Sequence, residues 1–328
     1  MSSTPRSGAV DAVRVLGVVA VVIGHVWADE VLRMGLYSWH VPVFFFLTGY
    51  FWKPGRTLTA EVRNRFRTLA RPYLFWLCVI LVIWSAVAHV RDHLTLEHIA
   101  DPLYGGFYAT RPFSAFWFVT VLFFAALAYR AVERLPVAVQ GAVVVTGLLV
   151  GHTAGELLAR TPLSIGSAWP CLAFIALGRL FRHAEPRLGA PLPAGIGLLV
   201  GPAGLVATGW SAPLDIKQGD YGSPVLSVVV SAAICAGLVL VARSTFAHAP
   251  AAAHRAATVL ARAGFVVILS HAVVLMLLDT AGGGLTDFLL ALLVPWVLGL
   301  LLLRTRLSGW AAGSPRRSHR PVETLAGS

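Results

Sequence analysis

The chain has 328 residues, of which 57% are hydrophobic and only 12% are charged. An ordinary soluble domain carries about 25% charged residues, so this composition excludes that class and predicts an integral membrane protein. In a soluble chain the net charge of +11 would suit nucleic-acid binding. In a membrane protein we expect that charge to face anionic lipid head groups and anionic cytosolic ligands instead.

Apolar stretches long enough to cross a membrane recur along the whole chain. They predict an all-α integral membrane protein with about ten transmembrane helices. The predicted spans are residues 12–29, 39–52, 72–90, 114–132, 137–152, 163–181, 192–210, 223–242, 264–281 and 285–303. The second span is short, and it has a proline near its start and a glycine near its end, so it predicts a tilted or broken helix.

Positive charge is distributed unevenly between the two sides that these spans define. If the N-terminus is cytoplasmic, most of the acids lie outside and all but five of the 26 Lys and Arg residues lie inside. We therefore predict a multi-pass protein of the cell (inner) membrane with both termini cytoplasmic. Residues 1–303 are predicted to form one membrane domain, and residues 304–328 a disordered, basic cytoplasmic tail.

The first span contains the stretch RVLGVVAVVIGHVW, which begins with Arg14 and carries His25 near its end. Eleven residues of helix are close to three turns, or about 16 Å of rise, so the two side chains share one face. An ionisable group inside a span is costly unless it faces the bundle interior or a wet cavity, which makes His25 a candidate functional residue. The alternative is a neutral imidazole bonded to a neighbouring carbonyl.

Two polar residues follow His25 closely. Asp29 comes four residues later, where its carboxylate can hold one ring nitrogen of His25 and leave the other as a base, unless Asp29 is only a solvated loop residue. His40 opens the second span, and a hairpin of the first two spans would bring His40 to a depth near that of His25. Two histidines would then line one cavity; the alternative for His40 is an interfacial position beside a tryptophan.

The loop KPGRTLTAEVRNRFRTLARPY carries six cations against the single acid Glu61. Such a density of charge is explained either by membrane topology alone or by a site for a phosphorylated cytosolic ligand, because guanidinium groups bind phosphate oxygens bidentately. The six cations are Lys53, Arg56, Arg63, Arg65, Arg67 and Arg71. The three cysteines lie alone in different spans, so neither a disulfide framework nor a metal site is predicted.

Several of these stretches resemble the membrane acyltransferase-3 family. DAVRVLGVVAVVIGHVW resembles the first-helix signature of the family, an arginine followed by ten residues and a histidine. HVPVFFFLTGYFWKPG resembles the second-helix motif, and its HVP opening is similar to the fucose 4-O-acetylase-like branch. RFRTLARPY, AFWFVTVLFF and GFVVILSHAVVL are similar to later segments, although the spacing of the arginines before Pro72 departs from the family pattern.

The resemblance implies transfer of an acyl group, usually acetyl from cytosolic acetyl-CoA, to a hydroxyl of a sugar, a polysaccharide or a small molecule. Arg14, with Arg65, Arg67 and Arg71, would meet the phosphates of the donor. His25 would deprotonate the acceptor hydroxyl, a contribution of ~10²–10⁴-fold for such a base. Asp29, His40 and His271 are further catalytic candidates. His271 would polarise the thioester or orient the acceptor, and its alternative is a histidine satisfied by a neighbouring helix.

Two other functions compete with acyl transfer. A transporter or flippase can use intramembrane histidines as a proton or substrate path, but such proteins commonly show repeated halves, which this sequence lacks. A non-catalytic membrane scaffold would leave the shared helix face of Arg14 and His25 unexplained. The expected partners are therefore acyl-CoA, a hydroxyl-bearing acceptor and membrane lipids, with no metal and no nucleic acid.

Overall fold

The computed structural model describes residues 8–90, 95–278 and 283–314. The described residues are mostly α-helical and contain no β-strand, in agreement with the predicted all-α class. Fourteen α-helices lie within them: α1 Gly8–Val26, α2 Glu30–Tyr37, α3 Pro42–Tyr50, α4 Leu58–Arg65, α5 Arg71–Val90, α6 Glu97–Tyr104, α7 Phe116–Val132, α8 Val137–Ala159, α9 Leu172–Ala184, α10 Pro191–Ala207, α11 Leu226–Phe246, α12 Ala251–Leu278, α13 Leu285–Leu302 and α14 Ser308–Ala311.

Six helical segments in the described part of the chain are long and apolar enough to cross a membrane. They include α1, α8, α11, α12 and α13, and a continuous helix in which a π-helical turn joins α4 to α5. A seventh crossing forms if the 3-10 segment before α9 and α9 itself, bent by 48°, count as one span. Two further apolar helices, α7 and α10, are shorter. Each of the ten predicted spans overlaps a helix, but ten crossings and the orientation of the termini stay predictions.

The helices differ in how much of their surface is inside the protein. In the most apolar stretch of α12, 67% of the residues are buried inside the protein, and in that of α1, 56% are. In the corresponding stretch of α8 only 11% are buried. α1 packs against α11, α12 and α13. Because no water is available in the hydrocarbon region, a continuous valine-rich stretch such as α1 satisfies its backbone groups as a helix despite its β-branched residues. The helix that carries Arg14 and His25 is therefore enclosed by three other helices that are long enough to cross a membrane.

The second predicted span forms α3, a helix of only nine residues that begins with Pro42. α3 crosses α9 at a backbone-to-backbone contact. A Cβ built on Gly49 would lie 1.9 Å from the carbonyl oxygen of Ile175, and one built on Gly178 would lie 2.0 Å from that of Phe46. Only glycine permits such an approach, so the glycine of the TGY step fixes α3 against α9.

The segment that follows the last span differs from the predicted disordered tail. Residues 304–314 continue into α14, where Ala311 is buried and its carbonyl accepts a hydrogen bond from Trp76 Nε1 at 2.9 Å. Packing against α5 therefore orders this part despite its polar composition. Residues 315–328 lie outside the described residues.

Candidate active site

A cavity of about 250 Å³ lies at the end of the bundle where α1 finishes. We call it the outer cavity, after the side to which the predicted topology assigns it. Its wall comes from α1, α2, α3, α7, α12 and the connections between helices. The lining includes Val21, His25, Tyr37, His40, Phe44, Ser114, Trp117, Phe118, Asp215, Lys217 and Gln218. Aromatic rings and polar groups thus share the wall, an arrangement typical of sites for polar small molecules.

His25 is held by its own helix. Its Nδ1 lies 2.8 Å from the carbonyl oxygen of Val21, and a carbonyl only accepts, so Nδ1 carries the proton. In the neutral ring Nε2 is then left with a lone pair. His25 is consequently oriented and in the tautomer that can accept a proton at Nε2.

Asp29 does not orient His25, which corrects the prediction for this residue. Its carboxylate instead accepts a hydrogen bond from the backbone N–H of Leu32 at 2.9 Å and caps the N-terminus of α2. An aspartate one residue before a helix commonly satisfies an otherwise unpaired N–H in this way. The Val21 carbonyl has the orienting role that the sequence analysis gave to Asp29.

The structure brings His40 and His271 close to His25 in different ways. His40 lines the outer cavity, and its Nδ1 lies 2.7 Å from the carbonyl oxygen of Leu36. His271 is fully buried behind His25, with the ring centroids 4.8 Å apart and an edge-to-face arrangement. Its Nδ1 bonds the Val267 carbonyl at 2.9 Å, while its Nε2 has no hydrogen-bond partner among the described residues. His40 can contact an acceptor directly, whereas His271 can act only through His25.

A lysine and an aspartate of the connection between α10 and α11 also reach the outer cavity. Lys217 Nζ donates to the carbonyl of Ala109 at 2.8 Å, and burial lowers the pKa of this lysine to about 8 although Asp215 opposes the shift. Asp215 accepts from Arg33 at 3.2 Å, and burial raises the pKa of its carboxyl. Nothing local in the sequence connects Lys217 or Asp215 to His25, so sequence reasoning does not identify them as part of this site.

A second cavity, of about 310 Å³, lies at the opposite end of α1 and is called here the inner cavity. Five cationic side chains line it with one carboxylate, Glu61. The cations are Arg14, Lys53, Arg56, Arg65 and Arg130. Arg14 itself is paired with Asp11 at 2.5 Å and lies over the Phe51 ring at 4.8 Å. The excess of positive charge suits a polyanionic ligand such as a group of phosphates.

A buried ion network organises the inner cavity. Arg130 is 1% exposed, bonds Glu61 Oε2 at 3.1 Å and the Lys53 carbonyl at 3.0 Å, and pairs with Glu133. Glu61 is equally buried, and its other oxygen accepts from Arg65 at 2.7 Å. Sequence reasoning missed Arg130 and Glu133, since a lone arginine near a helix end is usually explained by topology alone.

Two of the predicted donor-binding arginines lie elsewhere. Arg67 is exposed on the π-helical turn between α4 and α5 and does not line the inner cavity. Arg71 lies over the Trp310 ring at 4.1 Å, in the packing of α14 against α5. Because a π-turn adds a residue to the helical repeat, it changes which side chains after it face the bundle. The structure thus brings Arg14 and Arg65 together and separates Arg67 and Arg71 from them.

The sequence profile of the acyltransferase-3 family, described as an acyltransferase domain, matches residues 7–305. The chain belongs to this family. No similar curated protein and no similar solved structure was found. The resemblance of the sequence motifs to the family is therefore confirmed, and the fucose 4-O-acetylase-like branch stays a prediction. As an acyltransferase-3 protein with several apolar helices, the chain is a multi-pass membrane acyltransferase.

In this acyltransferase the two cavities follow the face of α1 that carries Arg14 and His25. Arg14 lines the inner cavity and His25 the outer cavity, and Phe44 of α3 lines both. Among the described residues, no group of three His, Cys, Asp or Glu side chains could hold a metal ion. The two cavities place an imidazole at one end of α1 and a cluster of guanidinium groups at the other.

Proposed function

We propose that this protein transfers an acetyl or other acyl group from acyl-CoA to a hydroxyl of a sugar, a polysaccharide or a small molecule, with His25 as the general base. The observation that carries the proposal is the arrangement of the two cavities along α1. A cationic cavity at one end suits the phosphates of a CoA thioester, and a mixed polar and aromatic cavity at the other suits a hydroxylated acceptor.

The separation of Arg14 and His25 along α1 suits the extended shape of the donor. Arg14 and His25 are separated by about 16 Å of helical rise, and an extended pantetheine arm can bridge such a span between bound phosphates and a reacting thioester. In this arrangement Arg14, Arg56 and Arg65 hold the phosphates in the inner cavity. The thioester carbonyl then reaches His25, and the remaining contacts of the donor are made along α1, α3 and α7.

The chemistry follows from the tautomer of His25. Nε2 takes the proton of the acceptor hydroxyl while the hydroxyl oxygen attacks the thioester carbonyl carbon. The new C–O bond forms, the C–S bond breaks, and the departing CoA sulfur receives the proton back from the His25 imidazolium. The Val21 carbonyl keeps the Nδ1–H in place throughout, so that only Nε2 exchanges a proton.

The acceptor would enter the outer cavity, where Trp117 and Tyr37 offer ring faces and edges. Lys217, Asp215 and His40 offer donors and acceptors for the remaining hydroxyls of a sugar. We place the protein in the cell membrane, with the inner cavity open to cytosolic acyl-CoA. The acceptor then is a hydroxyl compound that reaches the other face of the membrane.

The test is binding of acetyl-CoA to the purified protein by calorimetry, for the parent and for Arg14→Ala, His25→Ala and Arg67→Ala. The proposal expects binding to weaken at least tenfold with Arg14→Ala and to persist with His25→Ala. Arg67→Ala is the matched control, because this arginine is exposed outside the cavity. Absence of binding by the folded parent, or equal weakening by all three variants, would reject the proposed donor site.

A further inference from the structure

Phe44 lies between the two cavities and is part of both walls. Two other helices, α1 and α7, line both cavities with different residues. On α1, Val21 faces the outer cavity and Arg14 the inner one; on α7, Phe118 faces the outer cavity and Leu122 the inner one. Phe44 occupies the corresponding middle position on α3, so its ring stands where the cavities would otherwise join.

The ring of Phe44 extends from α1 to α7. On the α7 side its centroid is 5.2 Å from that of Phe118. On the α1 side it fills the space left by Gly17, since a Cβ built on this glycine would be 3.0 Å from Phe44 Cζ and 3.1 Å from a methyl group of Val43. A glycine on α1 and an aromatic ring on α7 therefore form the two walls against which Phe44 rests.

This position bears on what can reach His25. Gly17 is about 4.5 Å of helical rise from Arg14 and about 12 Å from His25. An acyl group whose donor phosphates bind in the inner cavity must therefore pass Phe44 before it meets the base. The part of the CoA arm next to the thioester is an unbranched chain. A straight acyl group therefore needs no wider passage than the arm behind it. A branched or aromatic acyl group needs a wider one.

We propose that Phe44 is a specificity-determining residue of this enzyme: it separates the donor cavity from the acceptor cavity and limits the width, rather than the length, of the acyl group that reaches His25. The limit on acyl groups rests on the proposed function, whereas the separation of the two cavities by Phe44 does not. In this arrangement Phe44 takes no part in the chemistry at His25. Its role is to close the passage when no donor occupies it and to admit a slim chain.

The first experiment measures the separation without any reaction. In a Cys78→Ala background, which removes the exposed cysteine, Val41→Cys places a thiol in the wall of the outer cavity. A small charged thiol reagent is then added to sealed vesicles on the side where Arg14 lies. Labelling is expected to be at least tenfold faster with Phe44→Ala than with Phe44, and the rise is expected to be smaller with Phe44→Leu.

Phe51→Ala is the matched control, since Phe51 lines only the inner cavity and its loss widens that cavity without joining the two. Labelling at the parent rate in folded Phe44→Ala, or equal acceleration by Phe51→Ala, would overturn the separation. If Phe44→Ala does not fold, Phe44→Leu decides the same question. Gly17→Ala, which presses on the ring, is expected to leave labelling at or below the parent rate.

The second experiment measures selectivity. The ratio of benzoyl to acetyl transfer, each supplied as the CoA thioester, is expected to rise at least tenfold with Phe44→Ala, while the ratio of butyryl to acetyl changes less than threefold. Equal rises in both ratios would show a limit on length and overturn the proposal. If the folded parent transfers no acyl group at all, the proposed function fails, and the labelling experiment still decides whether Phe44 separates the cavities.

Discussion

Replacing Glu61 by Gln is expected to destabilise the protein through the charges that Glu61 holds. Glu61 is 1% exposed and accepts hydrogen bonds from Arg56 at 3.0 Å, Arg65 at 2.7 Å and Arg130 at 3.1 Å. The amide of Gln is neutral and keeps one acceptor oxygen in place of two. Arg130, which is also 1% exposed, would then retain only Glu133 as a carboxylate partner.

The magnitude follows from this burial. Removing one partner of a buried ion pair typically costs ~3–5 kcal/mol, because the other charge stays buried without compensation. Since Glu133 and the Lys53 carbonyl still bond Arg130, we expect the lower end, about 3 kcal/mol. Exposed pairs contribute ~0.2–1 kcal/mol. Glu156→Gln is therefore the matched control, as Glu156 pairs with Arg160 where both side chains are at least half exposed.

The assay is reversible unfolding in mixed micelles, with the free energy of unfolding measured for the parent and both variants. A loss with Glu61→Gln within about 0.5 kcal/mol of that with Glu156→Gln would refute the reasoning, because surface changes fall within that range. Binding of acetyl-CoA gives a second readout. Glu61→Gln adds net positive charge to the inner cavity, so weaker binding would indicate that Glu61 positions the arginines, whereas tighter binding would indicate that charge alone decides affinity.

Three further outcomes are expected. His25→Ala should lower the rate of acyl transfer ~10²–10⁴-fold and leave acetyl-CoA binding intact, as measured by kinetics and calorimetry on the same preparation; an unchanged rate would exclude His25 as the base. Gly49→Ala should cost about 1–3 kcal/mol of stability because its Cβ has no room, whereas Gly141→Ala, with open space around it, should not destabilise the protein. The pKa of Lys217 is lowered to about 8 in the folded state from 10.5, so the unfolded chain binds more protons between these values and stability from this group rises with pH across that window. Lys217→Met should remove that part of the pH dependence of unfolding, and an identical pH dependence in parent and variant would contradict the assignment.

Local periodicity was enough to predict that Arg14 and His25 share one face of α1. The shared face of Arg14 and His25 depends only on the geometry of one helix, and the structure places these residues in two cavities along that helix. The glycine of the TGY step could be recognised as part of a motif, but its reason, the carbonyl of Ile175, is more than 120 residues away. The all-α class was predictable for the same reason as the shared face of Arg14 and His25. Apolar length and periodicity are properties of a single segment of the chain.

The features of the site that could not be predicted from the sequence depend on contacts between distant segments or on competition between hydrogen-bond partners. Asp29 has the right spacing to hold His25, but the first N–H groups of α2 compete for the same carboxylate and bind it. Arg130 became part of the site only because Glu61 lies against it from 69 residues away. Arg67 and Arg71 were predicted to join Arg14, but a π-helical turn changes the direction of the side chains beyond Phe66. No residue of the loop indicates this turn in the sequence.

The backbone contact between Gly49 and Ile175 has a consequence for how the enzyme completes a cycle. Two helices that touch through their main chains cannot slide past each other without a clash, so α3 and α9 move as one body if they move at all. The helix that carries Phe44 is thereby anchored. A transporter exposes one site to each side in turn by rocking whole helices, whereas the proposed acyl transfer needs only the rotation of one aromatic side chain between two fixed cavities. In the proposed reaction the acyl group, and not the helix bundle, then passes from one cavity to the other.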